Sequence, residues 1–343
     1  MINKRLLAIL GSILLLVMLL TSLVTAGTAP AQVYTIKLWV QNPQTAWQAE
    51  PFKRLIADVN QKTKGQVVLQ PFWAESLAPG KEAVNGLKGG LLELAQLQTF
   101  NNPGEFPASD VAGLPFLAVS TRGVVEGLRK LYSDGLMPEY NGKGFKLLDF
   151  HAPGMQYLLF RNKQIDTLAG INGLKIRSQT PVTVDMLKAF GATPVSFPSS
   201  DVYMALDRGV IDGTLSSPGF MAPNKFYEAA KFLLDQPLYG GNMFVAMNQK
   251  TWDRLPSDLQ KIMQDCIKVF TDDWLVVSKT QEEINSMNIL KEKGVTIYKL
   301  RPEELAKFKQ AVAPVIDKFV ANMDKLGLQG RKIVDTFASA QPK

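Results

Sequence analysis

The sequence predicts an α/β protein of two lobes, each a mainly parallel sheet flanked by helices, with one long helix spanning both. Three observations carry this prediction. Strand and helix patterns alternate from Val33 onward, a rhythm that pairs strands in parallel through crossover helices. About 310 residues follow a leader-like N-terminus, enough for two domains of ordinary size. From Pro256 to about Lys293 there is no Gly and no internal Pro, while Leu259, Ile262, Met263, Cys266, Val269, Phe270, Trp274 and Val277 recur at helical spacing. At 1.5 Å per residue such a helix is ~50 Å long, more than one lobe's diameter.

The N-terminus sets the compartment. Lys4 and Arg5 precede an uncharged apolar run from Leu6 to about Leu20, and small residues follow in Ala26-Gly27 and Ala29-Pro30-Ala31. This is the layout of a secretory signal over residues 1–31, cleaved near Ala31 before Gln32, and it predicts a periplasmic protein. Stretched to Val24, the run reaches the ~17-residue lower limit for a membrane span; the small-x-small site that follows it favours cleavage. No Cys lies nearby to take a lipid.

The formal charge of +7 falls to +5 once Lys4 and Arg5 leave with the signal. Acidic and basic residues are interspersed, with no basic stripe, which argues against nucleic acid. A mild positive balance suits capture of anionic solutes. Cys266 is the single cysteine, so no intramolecular disulfide forms, and its helical neighbours Ile262, Met263 and Val269 make it a small buried hydrophobe. His151 is the single histidine. One His without a Cys cluster argues against a zinc centre and against histidine-based nucleophiles. No metal or cofactor is expected.

The elements follow in order. Tyr34, Ile36, Leu38 and Val40 share one face of a strand over Val33–Val40. Phe52, Leu55, Ile56 and Val59 mark a helix stopped by Gly65, before a strand over Val67–Phe72. A short helix near Glu82–Lys88, closed by Gly89-Gly90, leads to a strand over Leu91–Leu97. Thr121–Tyr132 reads as a helix, and Phe145–Phe150, Gln156–Arg161 and Leu174–Arg177 as strands. Val182–Phe190 is a helix closed by Gly191, Val195–Phe197 is extended, and Ser199 or Ser200 can cap a helix running to Arg208. Thr214–Ser217 and Met243–Met247 read as strands, and two helices, about Pro302–Asp324 and Arg331–Ala338, finish the chain. The first lobe takes residues 32–155 and about 243–275; the second takes 156–242 and about 276–343.

The most informative stretch runs from Phe160 to Pro218. It holds Phe160-Arg161-Asn162-Lys163-Gln164-Ile165, Gly173-Leu174-Lys175-Ile176-Arg177, Phe190-Gly191-Ala192-Thr193-Pro194-Val195, Val202-Tyr203-x-Ala205-Leu206 and Gly209-Val210-Ile211-Asp212-Gly213. Leu114-Pro115-Phe116-Leu117 and Asn248-x-x-x-Trp252-x-x-Leu255-Pro256 lie outside it. On these motifs, which are spread over most of the mature protein, the sequence resembles the DctP-like solute receptors of tripartite ATP-independent periplasmic (TRAP) transporters. The resemblance implies a periplasmic-binding-protein fold.

Arg177 ends a short strand among apolar and small residues. Its planar fork can give a carboxylate two parallel charge-assisted bonds; an interlobe ion pair uses the same chemistry. The resemblance assigns the first role, because the family's carboxylate-binding Arg is the last residue of "GLK-x-R". It also suggests Arg161, just before "NK-x-I", as a second group at the anion. Ser216 and Ser217 stand where relatives place an Asn or Gln soon after "DG". Asp212-Gly213 reads as a turn. From the first lobe come Trp39, Gln41 and Asn42 after the first strand, Trp73 after the second, and Gln98, Thr99 and Phe100 after the third, because ligands of open α/β sheets bind beyond the carboxyl ends of strands. His151 stands where relatives often carry an aromatic.

The expected function is capture of a small organic acid, a carboxylate or sulfonate, by hinge closure and its delivery to TRAP-type membrane permease subunits, without catalysis. A receptor reporting to a sensor kinase would use the same fold and site. A periplasmic enzyme acting on an organic acid would need a placed base, for which no motif is present.

Overall fold

The computed structural model describes residues 32–45, 48–178, 180–198 and 201–342. The expected signal, residues 1–31, and the expected caps Ser199 and Ser200 lie outside the described residues. No helix among the described residues is long and apolar enough to cross a membrane.

The strands are β1 (Tyr34–Trp39), β2 (Val67–Phe72), β3 (Leu94–Gln98), β4 (Phe145–His151), β5 (Met155–Phe160), β6 (Lys175–Ser178), β7 (Thr193–Ser196), β8 (Gly213–Ser216), β9 (Phe232–Leu234), β10 (Tyr239–Gly240), β11 (Met243–Asn248) and β12 (Thr296–Tyr298). One sheet has the order β2-β1-β3-β11-β4 and the other β12-β9-β5-β8-β6-β7, with β10 paired to β5. The alternation read in β1 is real: Tyr34, Ile36 and Leu38 are buried and Thr35 and Lys37 exposed.

Both sheets are mixed rather than mainly parallel. β1 pairs in parallel with β2 and β3, but β11 runs antiparallel to β3 and β4. In the second sheet β6 is parallel to β7 and β8, whereas β5 is antiparallel to β8 and β9. The cause is topological. β5 enters the second sheet from the first through Ala152–Gly154, and β11 re-enters the first from β10 through Gly241-Asn242. A strand that crosses between sheets has no crossover helix to turn it parallel. Gly154 sits at φ 101 in the first crossing, a conformation in which any Cβ would be strained.

The long helix is the third connection. It runs as α-helix over Ser257–Val269, π-helix over Phe270–Val276 and α-helix over Val277–Glu292. Its first part buries Leu259, Met263, Cys266 and Ile267 against Ile36, Leu38, Phe52 and Val245 of the first sheet's core. Its last part buries Leu290 in the core that includes Leu159 and Leu215 of the second sheet. With no Pro or Gly, any bend must come from packing or an irregular hydrogen-bond ladder, and the π segment is such an irregularity.

The C-terminal helices differ from expectation in two ways. The single helix expected over Pro302–Asp324 is two, Pro302–Ala311 and Ala313–Lys325, because Pro314 cannot continue the ladder. The last helix, Gly330–Ser339, placed by sequence with the second lobe, lies against the helix Thr121–Ser133 that also packs on β4. Phe337 comes so near Gly127 that a Cβ there would meet its ring at 2.6 Å. Gln341 Nε2 donates to Gly123 O at 3.0 Å.

Candidate functional site

The carboxyl ends of β1, β3 and β4 lie at one end of the first sheet and those of β6 and β8 at one end of the second; Ser217, just after β8, lies beside Gly154 of the first crossing, and Thr99, just after β3, bonds Asn242 of the second. Arg177 lies on β6 in register with Thr214 of β8. It is 4% exposed, and its Nε and Nη2 both point at Phe197 O, 3.4 Å away. Bonds of that length are weak. Burial pulls the Arg177 pKa below its usual value, partly offset by the phenol of Tyr239. A buried guanidinium is tolerated where an anion can reach it.

The second sheet and the second crossing bury polar groups that the apolar strand pattern does not reveal: Ser178, Thr214, Ser216, Gln156 and Asn242 are all buried. Ser216 is in register with Tyr157 of β5. The Tyr239 hydroxyl is buried and meets no partner among the described residues; burial pushes its pKa up, and the positive charge of Arg177 opposes that rise. Asn242 Nδ2 donates to Ser109 O at 2.6 Å, and Thr99 donates to Asn242 Oδ1, so the second crossing is tied to the first lobe.

The candidates read from sequence separate into groups. Arg177 and Ser216 lie toward the carboxyl ends of the neighbouring strands β6 and β8, Ser216 two residues beyond Thr214, the partner of Arg177; Ser217 lies beside Gly154 of the first crossing. Gln98 reaches the same end of the first sheet, in one row with Met243 and His151. Gln41 and Asn42 follow β1, half-buried. Trp39 is only 1% exposed, and its Nε1 donates to Ala78 O at 3.0 Å, which makes it a core residue. Trp73 packs edge-on against Phe52, ring centroids 6.4 Å apart. Arg161 goes elsewhere. β5 runs antiparallel to β8, so Arg161 leaves at the amino end of β6; its backbone N donates to Asp212 O at 2.9 Å and its Nη2 to Asp207 O at 3.1 Å. The structure does not bring it to Arg177.

The hinge itself carries charge. Tyr157 Oη donates to Glu283 Oε1 at 2.6 Å, and Glu283 and Lys279 of the long helix lie beside Gly154. A recess of ≈ 380 Å³ is lined there by Ser120, Met155, Tyr157, Asp235, Glu283 and Met287, among others; Arg177 does not line it.

His151, the last residue of β4, is 3% exposed and its Nδ1 has no described partner. Burial first, and the Lys279 charge second, push its pKa down to about 3. A base whose folded pKa is depressed stabilises the fold above its unfolded value, and that contribution is lost as pH falls toward the folded pKa. At pH 5 the unfolded protein takes the proton and the native one does not, so the native state should lose about 2 kcal/mol relative to pH 8. Urea unfolding of wild type and His151→Gln at both pH values reads this; the same pH loss in the variant would refute it.

The family model described as bacterial extracellular solute-binding protein, family 7, matches residues 40–322. The 2,3-diketo-L-gulonate-binding periplasmic protein of Escherichia coli (strain K12) is 26% identical over 246 residues, 71% of this chain and 75% of that one. A TRAP periplasmic solute binding protein from Desulfovibrio salexigens, an open complex with the C-terminus of a symmetry mate in its ligand binding site, superposes with TM-score 0.82 at 22% identity, covering 90% of this chain and 95% of that one. A marine metagenome TRAP solute binding protein specific for aromatic acid ligands, from an unidentified microbe and in complex with metahydroxyphenylacetate, gives TM-score 0.80 at 22% identity, covering 90% and 98%. At these identities the structural likeness shows a shared fold.

Proposed function

The chain belongs to the bacterial extracellular solute-binding proteins of family 7, and on that premise we propose that it holds the carboxylate of a small organic acid on Arg177 and closes its two lobes around it. The observation that carries this reading is a buried guanidinium at the carboxyl end of β6. The molecules bound by the similar proteins support it: diketogulonate, the carboxyl terminus of a polypeptide and hydroxyphenylacetate all end in a carboxylate. Contacts to the rest of the acid come from Gln41, Asn42 and Gln98 in the first lobe and Ser216 and Ser217 in the second. The loaded form is delivered to TRAP-type permease subunits, from a mature protein starting near Gln32 outside the cytoplasmic membrane.

One preparation tests this reading. The full sequence is expressed with its leader, recovered from the periplasm and weighed by mass spectrometry, then melted with aromatic, sugar and C4 dicarboxylic acids. The expected mass is that of a protein without residues 1–31. A true ligand at a hundredfold excess over its Kd should stabilise the fold by about 2.7 kcal/mol. Retained Met1 would contradict export with cleavage, and a panel of acids that moves nothing would contradict the anion reading.

A further inference from the structure

The recess beside the hinge is walled by both lobes. On the first-lobe side it is lined by Ser120, which caps the helix Thr121–Ser133 by accepting from Gly123 N at 3.0 Å. Met155 and Tyr157 line it together because they are two residues apart on β5 and share one face. Asp235 follows β9, the neighbour of β5, and Ile297 lies on β12, the neighbour of β9. Glu283 and Met287, one helical turn apart, come from the long helix. The volume of ≈ 380 Å³ falls within the ~300–1,000 Å³ usual for small-molecule sites.

Its charge is opposite to that of Arg177. Asp235 and Glu283 line the recess, and among the described residues no Lys, Arg or His does. Glu283 is short of strong donors: Oε1 accepts from Tyr157 Oη at 2.6 Å, but Oε2 meets Met155 N only at 3.5 Å, too long for a strong bond. The nearby lysines are engaged outside it. Lys279 bonds Glu282 at 3.3 Å, and Lys299, its side chain 77% exposed, reaches Asp235 at 3.5 Å, an exposed pair of little strength. Burial raises the Glu283 pKa, and a cation beside it would favour the ionised form.

We propose that this recess is a second binding site, for a small organic ammonium ion with an apolar body. Its N–H groups bond Glu283 and Asp235, and its body lies among Met155, Ile284, Met287 and Ile297. The same two carboxylates repel an organic acid, so the recess and the Arg177 site select solutes of opposite charge. The proposal does not depend on the anion reading of Arg177.

The test titrates 2-phenylethylamine, protonated at neutral pH, into the full mature protein by calorimetry at low salt. Saturable binding is expected, with 2-phenylethanol, the same body without the charge, at least about tenfold weaker. Glu283→Gln keeps an acceptor for Tyr157 Oη and should weaken the amine about tenfold or more, as loss of a charge-assisted bond does. Its melting temperature shows whether it folds; if it does not, Asp235→Asn, at a partly exposed residue, reads the same loss. Arg177→Ala should bind the amine within about twofold of wild type. No saturable binding, equal binding of the alcohol, or wild-type affinity in the folded carboxamide variant overturns the proposal. A loss in Arg177→Ala as large as in Glu283→Gln would place the amine in the solute cleft and overturn it as well.

Discussion

Arg177→Ala is expected to bind the solute about 30- to several-thousandfold more weakly than wild type. Truncating one side of a buried charge pair costs about 2–5 kcal/mol, largely by leaving the other charge unpaired. The geometry sets the size of the effect. Arg177 is 4% exposed, so water cannot replace it beside a carboxylate in the closed cleft, and the low local dielectric strengthens the pair. Arg177→Lys should lose nearly as much, since an ammonium cannot reproduce the planar two-bond fork. Titration calorimetry on both variants measures this. Wild-type affinity in Arg177→Ala would remove the anchor from the proposed site.

The second large effect is expected at the π segment. Arg129, on the helix Thr121–Ser133, donates through Nε to Asp149 Oδ1 at 2.7 Å and through Nη2 to Thr271 Oγ1 at 3.0 Å, and bonds Asp272 through Nη1. Thr271 also donates to Asp149. One guanidinium thus joins β4 to two consecutive residues of the π-helical turn. Burial opposes its charge, but Asp149 and Asp272 outweigh burial and raise its pKa above the usual range. Burial likewise opposes ionisation of Asp272, and Lys268 and Arg129 prevail to lower its pKa. Arg129→Met leaves Asp149, with its side chain 8% exposed, without its cation. The expected loss is about 3 kcal/mol, the lower end for breaking a buried pair, because Arg129 itself keeps some exposure. Urea unfolding reads the loss, and Arg129→Met with Asp149→Leu should cost less than the two single changes added together. A loss under about 0.5 kcal/mol in Arg129→Met would place the network among surface pairs of little weight.

Much of this architecture was legible in the residues, for reasons the structure makes plain. β1 shows its alternation because only one of its faces is buried along most of its length. The long helix declares itself by 36 residues, Ser257–Glu292, without a breaker. Arg177 stood out through a motif. What was missed depends on partners distant in sequence. β9, β10 and β12 have two or three residues each, too short to show a period. Nothing within residues 156–161 says which way β5 runs relative to β6, and that direction takes Arg161 to the far end of the sheet. Trp39 reads as available at the end of its strand, whereas its indole is bonded to Ala78 O. Tyr239 reads as one more aromatic in an apolar stretch; only tertiary packing shows its hydroxyl bonded to no described residue. The π turn is bonded to Arg129 and Asp149 outside the helix, contacts that helical spacing alone could not show.

A crystal structure of the mature protein with the acid that most raises its melting temperature is the most direct test of the central claim. The account predicts the carboxylate between the two sheets, about 2.7–2.9 Å from the Arg177 guanidinium, as charge-assisted pairs are. An acid bound elsewhere, for instance in the recess lined by Tyr157 and Glu283, with Arg177 left facing Phe197 O, would contradict it.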